Sequence, residues 1–266
     1  RASKPRIWPR RPVTSVVALA VAPDGRVAVA GSVIGALDDG KSGDAAGVAD
    51  SFVTVFDATG QEQWTQRRGA RAADEATAVS FGADGVVYVA GRSKSAMSGA
   101  SAVGGWDGYV QAYSSRQANA LAPFTATNIA TRQFGSTGDD SVQAITVSGS
   151  DLYTAGIENG RAVVRRFTLD EAGRPTLAAT RDLGQMRGEI AGLAVENGRL
   201  IVAGATTNPA LDAGTITTAA SGGLDAFVAS LSADLQASGT DRLTYYGGAG
   251  DDTAAEVKIT GGKGWV

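Results

Sequence analysis

The sequence predicts an all-β fold: a β-propeller built of repeated four-stranded antiparallel blades, about four of them plus part of a fifth. Three observations predict it. Short hairpins of similar sequence recur along the chain, each hairpin turns on residues that tolerate positive φ, and no segment carries the 3.6-residue apolar period of a helix.

The inner hairpins come first in each unit. They are VVALAV-APDG-RVAVAG (Val16 to Gly31), ATAVSF-GADG-VVYVAG (Ala76 to Gly91), VQAITV-SGSD-LYTAG (Val142 to Gly156) and IAGLAV-ENG-RLIVAG (Ile190 to Gly204). Asp-Gly, Asn-Gly and Gly-Ser-Asp supply the tight turns, and every second strand ends in Ala-Gly. A third strand follows after a variable loop: Asp50 to Phe56, Asp107 to Tyr113, Arg161 to Phe167 and Asp225 to Leu231. A fourth follows, closed by glycine: Gln63 to Gly69, Thr131 to Gly135, Thr180 to Gly184 and Leu243 to Gly248.

First and second strands are nearly continuous small apolar runs, the pattern of strands covered on both faces. Third strands alternate more strictly. Fourth strands carry Arg67, Arg68, Arg132, Arg181 and Asp182, as an outer edge strand should. The approximate blades are 14–72, 73–137, 138–186 and 187–250, with a partial unit at 251–266; residues 1–13 are a basic linker or the edge of a preceding unit. The last unit stops within its second strand and the first residue is not Met, so both ends are expected to be cuts in a longer protein.

Composition narrows the chemistry. Without Cys or His, the 266 residues offer no disulfide, no thiolate nucleophile, no imidazole acid–base pair and no zinc site of the usual ligands. A net charge of −3 gives no electrostatic case for nucleic acid. No apolar run is long enough to span a bilayer, and Pro23-Asp24-Gly25 breaks the apolar stretch Val13 to Ala22 as a turn would. The 36 glycines fit many tight turns.

The run DAFVASLSADLQASGTDRLTYYGGAGDDTAAEV (Asp225 to Val257), the hairpin Val79 to Arg92 and the link Gly135-Ser136-Thr137-Gly138-Asp139-Asp140 resemble the bacterial SBBP (seven-bladed beta-propeller) repeat family. The third unit departs at Gly184 to Glu189, where the link has neither Asp, and the first is degenerate at Gly69 to Glu75. The resemblance implies a propeller in a large exported or cell-surface bacterial protein, extracellular or periplasmic, and implies no single activity. It leaves room for a flagellar or other surface-appendage setting.

Several motifs invite a sharper reading. Gly35 to Ser42, GALDDGKS, matches the phosphate-binding loop, but a strand rather than a helix follows it, and Asp38 and Asp39 would repel phosphate. It is expected to be a solvated blade loop. Its acids, with Asp44, lack the spacing of an EF-hand. The links at Asp139-Asp140 and Asp251-Asp252 are the metal candidates, for calcium; glycines at positive φ with Asp side chains on backbone N–H groups are the structural alternative. Among the tryptophans, Trp64 and Trp106 are expected to pack between blades, while Trp8 and Trp265 lie at the ends. Asp107, Asp170 and Glu189 are scattered acids without a catalytic constellation.

The expected function is therefore non-catalytic. It is a structural or interaction module of a larger protein, binding a protein partner or another domain of its own chain. No cofactor is expected, and calcium is the one metal considered. The binding loops would be the insertions between second and third strands, Ser32 to Ala49, Arg92 to Trp106 and Ala205 to Leu224, gathered at one face. The alternatives are a glycan-binding or carbohydrate-active propeller and an appendage-associated scaffold.

Overall fold

The computed structural model describes residues 13–34, 48–68, 72–82, 85–119, 122–260 and 263–265. Among them the regular elements are all β-strands. Blade one is β1 (Val13–Val21), β2 (Val27–Ile34), β3 (Ala49–Phe56) and β4 (Glu62–Arg68), hydrogen-bonded in that order. Blade two is β5 (Asp74–Phe81), β6 (Val87–Ser93), β7 (Asp107–Gln117) and β8 (Phe124–Phe134). Blade three is β9 (Asp140–Ser148), β10 (Asp151–Glu158), β11 (Arg161–Leu169) and β12 (Pro175–Gln185). Blade four holds β13 (Gly188–Glu196), β14 (Arg199–Thr206), β15 (Thr215–Thr218), β16 (Asp225–Ser232) and β17 (Arg242–Tyr246). The hairpin β18 (Lys258–Thr260) and β19 (Lys263–Trp265) follows.

Successive blades pack face to face, and the first strand of each adjoins the first strand of the next. That is the arrangement of a β-propeller, with first strands nearest the axis. Each blade has a proximal face toward the preceding blade and a distal face toward the following one. Ala28, Ala30, Val53, Val55 and Trp64 on the distal face of blade one pack on Ala76, Val79, Val87, Val89 and Tyr113 of blade two. Tyr88, Ala90, Val110 and Ala112 of blade two meet Val142, Leu152 and Phe167 of blade three. Tyr153, Val164 and Leu183 of blade three meet Leu193, Val202, Phe227 and Leu243 of blade four.

A β-bulge interrupts every inner hairpin at the same place, between Val16 and Ala18, Ala76 and Ala78, Val142 and Ala144, and Ile190 and Gly192. It explains the recurring Ala-Gly. The bulge pushes a first-strand carbonyl against the second strand, so a Cβ on Gly31, Gly91, Gly156 or Gly204 would collide with the oxygen of Ser15, Glu75, Ser141 or Glu189.

Two expectations need correction. Blade four is five-stranded, because part of the Ala205 to Leu224 insertion folds back as β15 and pairs in parallel with β17 at the outer edge. Leu211 and Ala213 are buried on the way, and the Tyr245 hydroxyl donates to the Asn208 carbonyl and accepts from Leu211 N–H. Covering the edge offers a four-residue strand a partner it could not find alone. The second correction concerns burial. The third strands β3 and β7 are covered on both faces over most of their length, whereas the first strands alternate and keep one set of side chains partly exposed. A first strand is an edge strand of its sheet, so its small apolar residues reflect crowding near the axis more than full enclosure.

Candidate functional site: the loop-bearing end of the blades

Second strands hand over to third strands at one end of each sheet, and this end carries the insertions. In blade two the loop covers residues 94–106 and in blade four residues 207–224. In blade three Asn159 and Gly160, both at positive φ, turn β10 directly into β11. The corresponding loop of blade one, including Gly35 to Ser42 and the acids Asp38, Asp39 and Asp44, lies outside the described residues.

Both described loops end in the same device. In blade two, the buried Asp107 carboxylate accepts the N–H groups of Val103 and Gly104, each at 2.8 Å, and Nε2 of Gln133 at 2.9 Å. The link to the next blade then grips the loop from outside: Gly105 N–H donates to the Gly138 carbonyl, Trp106 N–H to Oδ1 of Asp139, and Asp140 N–H to the Trp106 carbonyl. Blade four repeats it. Asp225 accepts from Ser221 and Gly222 N–H, Gly223 N–H donates to the Gly250 carbonyl, Leu224 N–H to Asp251, and Asp252 N–H to the Leu224 carbonyl. Gly104 and Gly222 are required by the approach itself, since a Cβ there would strike the carbonyl oxygens of Ser136 and Gly248.

The four metal candidates are thus brought into two separate clamps. Asp140 is buried and accepts from Ser136 N–H at 2.6 Å, Ser136 Oγ at 2.8 Å and Asn159 N–H at 2.9 Å. Asp252 accepts Gly248 N–H at 2.7 Å. Asp139 and Asp251 each hold one loop N–H. Among the described residues, no group of three or more His, Cys, Asp or Glu side chains converges on a point where an ion would sit. Blade three supplies the internal comparison: it has no insertion, and the link after it has no Asp pair. Among blades two to four, the Asp pair follows the blades that carry an insertion.

Sequence reasoning missed the half of the clamp that lies on the loop, Gly-Gly-x-Asp at Gly104 to Asp107 and Gly222 to Asp225. A signal for it exists: the motif occurs in the two described units whose following link carries Asp-Asp.

Trp106, half-buried at the end of its loop, has the Arg92 guanidinium 4.3 Å and the Lys94 ammonium 4.9 Å from its ring centroid. Arg92 also pairs with Glu75 at 2.7 Å. The indole is thus a support for two cations rather than an unoccupied stacking surface. Trp64 packs between blades one and two, its ring 6.2 Å from that of Tyr113. The scattered acids stay scattered. Asp107 belongs to the clamp of blade two, and Glu189 lies on the first strand of blade four. Asp170 closes a turn in blade three, where the Arg174 N–H and guanidinium hold its carboxyl below the usual range.

No protein-family model matches the chain. It is similar to the regulatory protein FlaEY of Caulobacter vibrioides, with 42% identity over 289 residues, covering 95% of this chain and 30% of that protein. The chain therefore spans less than a third of the curated relative it matches. Among solved structures, Sqt1 from Chaetomium thermophilum superposes with a TM-score of 0.52 at 13% identity, over 92% of this chain and 64% of that one. A Sqt1 structure bound to the N-terminus of the ribosomal protein L10 gives a TM-score of 0.49 at 15% identity, over 83% and 46%. At such identities the likeness concerns the fold. Among the described residues, no helix is long and apolar enough to cross a membrane.

Proposed function

We propose that this region is a non-catalytic interaction module of a longer regulatory protein and that it binds a protein partner through the insertions at one end of its blades. The carrying observation is the repeated clamp. Two loops of different length and sequence are anchored by the same backbone contacts, so the sheets present variable segments from a constant base. The acids that would otherwise be candidates for catalysis or calcium are engaged with backbone donors, which supports a supporting rather than a reacting role. The identity with a protein named regulatory supports the regulatory part. The setting we propose is flagellar, the appendage alternative already raised by the sequence, and one the Fla designation fits. Membership of the SBBP repeats and an exported location belong to the same proposal.

The test is loop replacement. Residues 98–102 are shortened to a Gly/Ser bridge and the exposed Ile216 and Thr218 are replaced by Ser, separately and together, with the buried Met97, Leu211 and Ala213 left in place, and the intact and altered proteins are used to capture partners from a lysate of the cells that produce the protein. A partner retained by the intact protein and lost on alteration, with the melting temperature little changed, is the expected result. Equal capture by intact and altered protein would defeat the reading. Glycan arrays and hydrolase panels test the carbohydrate alternative, for which Trp106→Ala should abolish any signal.

A further inference from the structure

The first strands of the four blades occupy equivalent positions, so their exposures can be compared register by register. The residue before each bulge is 2% exposed at Ala76, 3% at Val142 and 5% at Ile190, but 57% at Val16. Three residues on, Val79 and Leu193 are 7% and 8% exposed, whereas Leu19 is 64% exposed, and Val21 beside it is 62%. In blades two to four these positions are covered by the distal face of the preceding blade. In blade one the first-strand part of the same face is apolar and open. An exposed apolar patch of this kind marks a docking surface.

The opposite end of the stack shows the matching half. The distal face of blade four is only partly covered, by Ala254 and Val257. A groove of about 900 Å³ remains, lined by Ile201, Val228, Ser230, Tyr246, Ala255 and Ile259. Ile201 and Val228 stand where Ala28 and Val53, both fully buried, stand on blade one.

We propose that the proximal face of β1, formed by Val16, Leu19 and Val21, docks the distal face of a further four-stranded blade of the same polypeptide. The occupant is a blade because every equivalent face in the structure is occupied by one. It belongs to the same polypeptide because the similar regulatory protein is far longer than the matched region, which is 30% of its length. The fold comparison has room for it, since about a third of the Sqt1 chain is left unmatched. A second copy of these 266 residues is a poorer occupant, because its own distal face is already partly covered by Ala254 and Val257. The inference is independent of what the loops bind.

The chain has no cysteine, so Leu19→Cys installs a unique thiol on the face. Its maleimide labelling rate is measured in the 266-residue protein and in the longer polypeptide of which the proposal makes it part. Leu177→Cys, on the exposed outer strand β12, is the control, and Val21→Cys repeats the measurement if Leu19→Cys fails to fold. The expected result is labelling slowed on the order of tenfold or more in the longer protein, with the control unchanged, because a thiol under a docked blade reacts only when the interface opens. Equal rates in the two proteins would overturn the proposal. So would a dimer of the shorter protein in which the thiol introduced by Leu19→Cys is protected, since a second copy would then be the occupant.

Discussion

Arg181 on the outer strand of blade three donates through Nη1 to Oδ2 of Asp241 in blade four at 2.7 Å, and both side chains are buried. Asp241 also accepts the N–H groups of Ser232 and Ser238 and an Nη2 of Arg199, so one carboxylate joins two blades and closes the turn between β16 and β17. Asp241→Ala would leave a buried guanidinium without its partner, and we expect a loss of about 3–5 kcal/mol by chemical denaturation. Adding Arg181→Met should recover part of it.

The same carboxylate makes stability depend on acid. Burial alone would raise its pKa, but the hydrogen bond from Arg181 and the two backbone N–H groups outweigh burial and hold it below the usual range. A carboxyl depressed in the folded state contributes stability above its unfolded pKa, and that contribution is lost as pH falls through the folded value. Denaturation midpoints should therefore drop below about pH 4, and Asp241→Asn should flatten that drop.

Tyr88 behaves in the opposite sense. Its hydroxyl donates to the Gly173 carbonyl at 2.8 Å, joining blade two to a turn of blade three. Burial, with the charge of Asp170 second, pushes its pKa to about 12. A phenol whose pKa is raised on folding contributes stability that is complete below about pH 10 and lost as pH rises toward the folded value. Tyr88→Phe should cost about 1 kcal/mol at neutral pH and reduce the alkaline loss, both measured by denaturation at neutral pH and above about pH 10.

The bulge glycines set another expectation. Gly91→Ala places a methyl against the Glu75 carbonyl and should cost at least about 2 kcal/mol, whereas Gly239→Ala, with open space around it, should stay within about 0.5 kcal/mol. Thermal melts of the two variants compare them directly.

For the clamps, Asp140→Ala strands the Ser136 N–H and leaves Asn159 N–H only the Asp139 carbonyl, and should lower stability by about 1–3 kcal/mol. Asp251→Ala, at an exposed position holding one N–H, should cost less. We expect millimolar calcium to leave the melting temperature of the unmodified protein unchanged. A calcium-dependent rise that disappears in Asp140→Ala would make the link a metal site instead.

The hairpins and the blade repeat were legible because their cause is local. Asp24-Gly25 and Asn197-Gly198 specify turns by themselves, and Gly25, Asn197 and Gly198 adopt the positive φ they favour. What was hidden depended on distant partners. Gly31, Gly91, Gly156 and Gly204 were visible as a repeat, but the carbonyl that excludes a side chain belongs to another strand. Strand β15 is four exposed residues in a polar loop, and only β17 gives it a place. Trp106 was legible as an aromatic at a loop end, while the cations beside it arrive from the far end of β6 and the residue after it.

The clamp sets different rules for two kinds of change. A residue gained or lost within β5 beyond Ala76 would turn the outward and inward sets of side chains over, and with them the core between blades. A residue gained or lost between Ser98 and Val103 meets no such constraint, because the loop is held before it by the buried Met97 and after it by Asp107, Gly138 and Asp139. Each clamp is in effect a socket, and the segment it holds can be exchanged without touching the sheet. Blades of one ancestry can in this way come to grip unrelated targets, and a foreign peptide spliced between Ser98 and Val103 should be displayed without refitting the core.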